Sequence, residues 1–334
     1  MSEIIKKQAP IILAEIKKAN SILLHCHPSP DPDSVGSALA MKFALEQLGK
    51  KVTLIQGDSA IPKSFAFPGV DTIVKKSYSE INPSDFDLFI AQDSASKQMI
   101  SFKTDVVFPD TMKVIVIDHH VSNTNYGTIN CVDSSYPATG QLLFDLFNEM
   151  GIRLNHDIAI NLFMGIYTDT GGFKYRSASA ETIRIGSELA ALAPDFSEVI
   201  FIMENSNRKE SLIYQGLALS SLKEFFGGTI ALTSVTFDQL SQNGIKEEDY
   251  SASYIANILK SVVGFEIGIN LLEKEPNKIG VGMRTRNPEK FDVSKLAVAL
   301  GGGGHKSAAG AKLNMTMPEA IDKVVKTAKE LYNL

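Results

Sequence analysis

Two cysteines, Cys26 and Cys131, are all the chain contains, and they fit neither a disulfide framework nor a zinc spacing. Two free thiols suit a reducing compartment, so a cytoplasmic protein is expected. Positive charge is also scarce. Lys and Arg number 33 against 38 Asp and Glu, for a formal net charge of −5. No basic block offsets this, which argues against a protein that holds long duplex DNA by its phosphates, though not against a small, locally positive nucleotide pocket. Glu3, Lys6 and Lys7 are followed by no apolar leader core, and no run approaches 18 apolar residues. Neither a signal peptide nor a membrane contact is therefore expected. Internal repeats and low-complexity segments are absent too. What remains is a 334-residue chain, 44% hydrophobic, with enough apolar material for two cores.

Along the chain, short apolar runs alternate with helical patterns. Residues 3–19 read as an amphipathic helix whose first turn Pro10 could mark. Strands are expected at 21–24, 52–55, 88–91 and 114–117, and helices at 34–48, 138–150, 156–167 and 180–192. This alternation predicts βαβ units, hence a doubly wound parallel sheet in an α/β domain over 1–192. The polar, turn-rich segment 193–212 reads as a linker. Residues 213–334 then read as a smaller α/β domain, with strands near 229–235, 265–273 and 279–284 and helices near 292–300 and 317–331.

The polar residues that follow the strands carry the chemistry. His25-Cys26-His27-Pro28-Ser29-Pro30-Asp31-Pro32-Asp33 follows the first strand, Gln92-Asp93-Ser94 the 88–91 strand, and Asp118-His119-His120 the 114–117 strand. Asp169 ends a helical pattern. An Asp after a strand commonly caps the next helix, and a lone strand-end His is commonly a satisfied core group. Three such clusters at successive strand ends, where open α/β sheets bind ligands, are not explained that way. Oxygen and imidazole donors without thiolate favour Mn²⁺, Mg²⁺ or Co²⁺. Four carboxylates (Asp31, Asp33, Asp93, Asp169) would balance two divalent ions. Asp118 is expected behind His119, as the acceptor that fixes its tautomer.

Near the other end, Gly301-Gly302-Gly303-Gly304-His305 reads as a place where backbone approaches a ligand, with successive amides forming an anion nest. It is not a Walker A loop, because His305 precedes Lys306 and the segment follows a helix. Arg284, at a strand end, offers a guanidinium fork for phosphate.

Taken together, His27-x-x-x-Asp31-x-Asp33, Asp93, Asp118-His119-His120, Thr168-Asp169-Thr170-Gly171, Arg284 and the glycine run ending at His305 resemble the DHH phosphoesterase family. The likeness is to the branch with a C-terminal substrate-binding domain, over roughly residues 20–315, and within it to the nano-RNase / pAp phosphatase type. The resemblance implies one ion on His27, Asp31 and Asp93 and a second on Asp33, Asp93, His119 and Asp169, with manganese the usual metal. It implies that His120 meets the scissile phosphate, that Arg284 and His305 hold the substrate, and that the active site lies in the cleft between the domains. Ser37, after Gly36, fits a phosphate-facing helix start. The implied activity is hydrolysis of short oligoribonucleotides or small nucleotides by a water activated with two metals. The alternatives are a polyphosphatase or pyrophosphatase and a non-catalytic nucleotide-binding regulator; a homodimer is compatible with either. The chain departs from the family's Pro-Asp-Gly-Asp-Ala in having Pro30-Asp31-Pro32-Asp33-Ser34, which puts the geometry of this loop in question.

Overall fold

The structure, a computed structural model, describes residues 2–250 and 252–334. The chain divides into two compact units, the first ending at Ser206 and the second beginning at Asn207.

The first unit runs α1 (Glu3–Lys18), β1 (Ser21–His25), α2 (Pro32–Gln47), β2 (Lys51–Ile55), β3 (Leu88–Gln92), β4 (Lys113–Asp118), β5 (Ile129–Val132), α3 (Thr139–Glu149), α4 (His156–Asp169), α5 (Ala180–Leu192) and α6 (Phe196–Asn205). Its five strands are all parallel, in the order β2-β1-β3-β4-β5. Successive side chains of a strand point to opposite faces. Ile22, Leu24, Ile90, Ile115 and Ile117 therefore share one core with α1 to α5. Leu23, Phe89, Ala91, Val114 and Val116 face a second core. Irregular chain with short 3₁₀ turns, not helices, covers that second face. The sheet is wound on both sides as expected, but only one side is helical.

Pro32 is the first residue of α2, and Asp31 caps that helix by accepting from the Ser34 amide (2.9 Å). Proline suits this position because its missing N–H is one that no helix satisfies internally. The departure in the first motif is thus accommodated by moving the helix start forward to residue 32. Pro10 lies inside α1, not in its first turn. The segment 193–212 is mostly helical, since α6 and the start of the next helix occupy it; most of its polar residues face solvent, while Val199 and Ser211 are buried.

The second unit comprises α7 (Lys209–Ser220), β6 (Lys223–Phe225), β7 (Ile230–Val235), α8 (Phe237–Gln242), α9 (Ala252–Ser261), β8 (Ile267–Glu275), β9 (Lys278–Thr285), α10 (Val293–Ala299), β10 (Gly303–His305), β11 (Ala308–Asn314) and α11 (Met317–Tyr332). Its six-stranded mixed sheet has the order β10-β11-β9-β8-β7-β6, with only β7 and β8 parallel. One face packs on α10 and α11, and the other carries a core formed with α7, α8 and α9. Among the described residues, no helix is long and apolar enough to cross a membrane.

Candidate metal centre

In a parallel sheet of order 2-1-3-4-5, β1 and β3 are neighbours whose connections leave in opposite directions, and the crevice between their carboxyl ends is a natural ligand site. His27 follows β1, Asp93 follows β3, and Asp118 ends β4. The backbone at Asp93 turns left-handed (φ 52°), a conformation that Asp and Asn tolerate better than most residues.

Seven residues singled out in the sequence converge here. His27 Nε2 lies 3.4 Å from Asp31 and 3.5 Å from Asp93. His119 Nε2 lies 3.5 Å from Asp93 and 3.5 Å from Asp169. Donor atoms of His27, Asp31 and Asp93 fall within 4.8 Å of one another, as do those of Asp33, His119 and Asp169, and those of Asp93, His119 and His120. Asp93 thus stands between two ligand sets. His27 Nδ1 donates to the Pro28 carbonyl (3.0 Å) and His119 Nδ1 to the Tyr136 carbonyl (3.2 Å), which turns both Nε2 atoms toward the carboxylates. His119 Nε2 is buried without a hydrogen-bond partner.

The carboxyl groups record how crowded this charge is. Burial raises Asp33 to about 7, and the Asp93 charge adds to it. Burial, then the charges of Asp33 and Asp93, push Asp169 well above the usual carboxylate range. Asp169 is also the last residue of α4, where the negative end of the helix dipole disfavours an anion. Burial alone would raise Asp93 too, but the imidazoles of His119 and His27 hold it well below its ordinary value. Burial would lower the two histidines; their carboxylate neighbours win and raise His27 to about 11 and His119 to about 10. Oxygen and imidazole donors, excess buried negative charge and an orphaned ring nitrogen are what a pair of divalent cations would satisfy. The residues present fit such ions.

One assignment changes. Asp118 does not sit behind His119: its Oδ1 accepts from His120 Nδ1 at 2.7 Å, and its Oδ2 from the Asn123 amide at 2.6 Å. The pleat explains this, because Asp118 shares the Val114 and Val116 face while His119 lies beyond the strand. Ser37 moves as well. It is fully buried one turn into α2, and its hydroxyl donates to Asp33 (3.3 Å), so it braces a carboxylate and does not face substrate. His25 is fully buried, stacked on Phe89, and lowered by burial to about 3, a core group outside the ligand sets.

The helix expected at 138–150 is α3, but nothing in the sequence reading gave its first residues a part in the site. The Thr139 and Gly140 amides donate to the two oxygens of Asp33 (2.7 and 2.9 Å), and the Thr139 hydroxyl donates to Asp93 (3.0 Å). A helix N-terminus thereby steadies a fully buried carboxylate; the available signal was Thr-Gly opening an apolar helical pattern. Gly165 was missed as well. A Cβ there would lie 2.4 Å from Asp33 Oδ1, so its absence lets α4 approach α2. Gly165→Ala is expected to lower stability by about 1–3 kcal/mol through overpacking and to weaken metal binding, read by thermal unfolding and Mn²⁺ titration. An unchanged melting temperature would contradict the close packing.

In the second unit, β9, β11 and β10 align Arg284 with Ala308 and Ala308 with His305. Arg284 and His305 therefore share a face two strand spacings apart, roughly 10 Å. The next row, Gly282–Gly310–Gly303, is bare of side chains. The expected glycine nest is half of a hairpin. Gly301 (φ 83°) closes α10, and a Cβ at Gly302 or Gly304 would strike β11. Gly303 faces open space without a positive φ.

Comparison with known proteins agrees with this division. Residues 21–166 match the DHH family, N-terminal domain, and residues 233–333 the DHHA1 domain. The chain is 28% identical to the bifunctional oligoribonuclease and PAP phosphatase NrnA of Thermus thermophilus, over 96% of this chain and 93% of that one. It is 25% identical to the Bacillus subtilis protein of the same name, over 90% and 92%. A solved structure of an exopolyphosphatase-related protein from Bacteroides fragilis superposes with a TM-score of 0.90 at 25% identity, covering 98% of this chain and 97% of that one. With these two domains in order along one chain, and with the aspartates and histidines of the motifs gathered at one sheet end, the protein belongs to the DHH phosphoesterase family.

Proposed function

We propose that this hydrolase acts on short oligoribonucleotides and small nucleotides, such as pApA-like dinucleotides and 3′-phosphoadenosine 5′-phosphate, in a cytoplasmic setting. The observation that carries the reading is the gathering of donor atoms in the groups His27, Asp31, Asp93 and Asp33, His119, Asp169, with Asp93 lying 3.5 Å from both His27 and His119. One ion would sit on His27, Asp31 and Asp93, the other on Asp33, Asp93, His119 and Asp169, with Mn²⁺ the first choice and Mg²⁺ or Co²⁺ as alternatives. Such ions, when bound, supply Lewis acidity toward phosphoryl oxygens and a water of lowered pKa. His120, held at Nδ1 by Asp118, presents the far side of its ring for contact with the phosphate or its leaving oxygen. Arg284 and His305 would bind a phosphate beside the bare glycine row, where an unencumbered sheet lets a nucleotide lie close. The names of the Thermus and Bacillus relatives support this substrate class.

The test is a panel of dinucleotide, 3′-phosphoadenosine 5′-phosphate, cyclic dinucleotide and polyphosphate, compared by kcat/KM with Mn²⁺. Dinucleotide or 3′-phosphoadenosine 5′-phosphate is expected to lead, and chelation to remove the activity. Arg284→Ala is expected to raise KM at least about tenfold, the order of one lost charge-assisted hydrogen bond. Polyphosphate ranking first would replace this reading with a phosphoanhydride hydrolase, a choice the Bacteroides neighbour keeps open. Nucleotide binding without turnover would favour a regulator.

A further inference from the structure

We propose that Asn123 is a positioning residue for the reaction, acting on His120 through Asp118. The inference rests on the functional reading above. Asp118 is fully buried, and its two oxygens have different tasks: Oδ1 takes the His120 Nδ1 proton at 2.7 Å and Oδ2 takes the Asn123 amide proton at 2.6 Å. A buried carboxylate held by one donor can pivot about its Cβ–Cγ bond; held by two on opposite oxygens, its plane is fixed, and with it the plane of the imidazole.

The orientation of Asn123 is itself over-determined. Its Oδ1 accepts from the Asn125 amide (2.7 Å), so the opposite atom toward Asp118 is the nitrogen, the only donor of the side chain. The turn that carries it is pinned at both ends: the Asn123 amide donates to the His120 carbonyl (3.1 Å) and the Thr124 amide to the Ala95 carbonyl (2.9 Å). Ala95 lies two residues beyond Asp93. The same turn therefore ties the His120 segment to the strand end that bears the shared carboxylate. The carboxamide meets both demands at once: aspartate lacks the donor, leucine both groups, and serine the reach.

A merely structural role, closing the turn through Asn125, predicts something different. Asn123→Asp keeps the acceptor for the Asn125 amide and loses the donor toward Asp118, while Asn123→Leu loses both. Each is expected to lower kcat about 10- to 100-fold, the range for groups that orient a functional side chain, with KM changed less than about threefold. In a His120→Ala background the same substitutions should cost less than about twofold, because the group they position is gone. A readout independent of turnover is the imidazole nitrogen spectrum of ¹⁵N-histidine-labelled protein. The Nδ1–H tautomer signature of His120 is expected in the natural chain and should be lost or shifted in both variants. Equal losses in both backgrounds, or an Asn123→Asp enzyme matching the natural one with an unchanged His120 signal, would overturn the proposal. Should Asn123→Leu fold poorly by circular dichroism, the Asn123→Asp comparison decides alone. Should no nucleotide be turned over by the natural chain, the functional reading fails and the imidazole spectrum still decides this one.

Discussion

Asp93→Asn is expected to reduce metal-dependent phosphoester hydrolysis by about 10³-fold or more, a loss on the scale of removing a group that stabilises developing charge. In the proposed ligand sets Asp93 is the shared carboxylate, with Oδ2 3.5 Å from His27 and Oδ1 3.5 Å from His119. Asparagine is the informative replacement. It tolerates the left-handed backbone found there (φ 52°), and its carbonyl can still accept from the Thr139 hydroxyl, which donates to Asp93 at 3.0 Å. The fold should survive, so the loss would report charge and coordination. Calorimetric titration with Mn²⁺ is the direct measurement. The natural chain is expected to take up two ions and Asp93→Asn neither over the same concentration range. Asp31→Asn touches one set only and is expected to lose one ion while keeping the other. Two ions bound to Asp93→Asn would remove the shared-carboxylate arrangement on which the functional reading stands.

How far the sequence alone reaches is seen at particular residues. The strands and the clusters after them were legible because an apolar run followed by Asp or His is a local pattern. His27, Asp31, Asp93, His119 and Asp169 meet as those patterns suggest. Asp118 was misdirected, since adjacency in sequence suggested His119, whereas alternation along β4 sends the carboxylate to the face where His120 and Asn123 meet it. Asn123, Thr139 and the Tyr136 carbonyl depend on tertiary contacts, and no local spacing announces them. The glycine run shows the opposite failure. Its composition suggested a nest for an anion, but positive φ and close packing on β11 already account for three of the four glycines. The bare row Gly282–Gly310–Gly303 becomes visible only through strand register. Helices on one face alone were likewise illegible, because a stretch such as 56–87 can cross a sheet without any periodic pattern.

Without divalent metal, the first unit is expected to lose thermal stability as pH rises from about 6.5 to 9, and Mn²⁺ to restore it increasingly over that range. The direction follows from proton uptake in the folded and unfolded chains. His27 and His119 are raised from 6.5 to about 11 and about 10. Their stabilisation is fully present below pH 6.5 and is lost as pH climbs toward those folded values, because the unfolded chain has already released its protons. Asp33, raised from 3.8 to about 7, acts in the same sense but between those values, so it adds only at the low edge of the window; Asp169, raised well above its ordinary value, also acts in that sense. His25 opposes them only below pH 6.5: it is lowered to about 3, so its contribution grows up to 6.5 and is constant above. Asp93 is depressed, and its contribution is already complete in this window. For one proton held by the folded chain alone, the slope is about 1.4 kcal/mol per pH unit, or roughly 3–5 °C in melting temperature for a unit of this size. Divalent cations bind the deprotonated carboxylates and neutral imidazoles, so their stabilisation grows as those protons leave. Scanning calorimetry of chelator-treated protein at half-unit pH steps, with and without Mn²⁺, measures both curves. A flat or rising metal-free profile between pH 6.5 and 9 would mean that the carboxylates and histidines at the sheet end do not carry the charge states their packing implies.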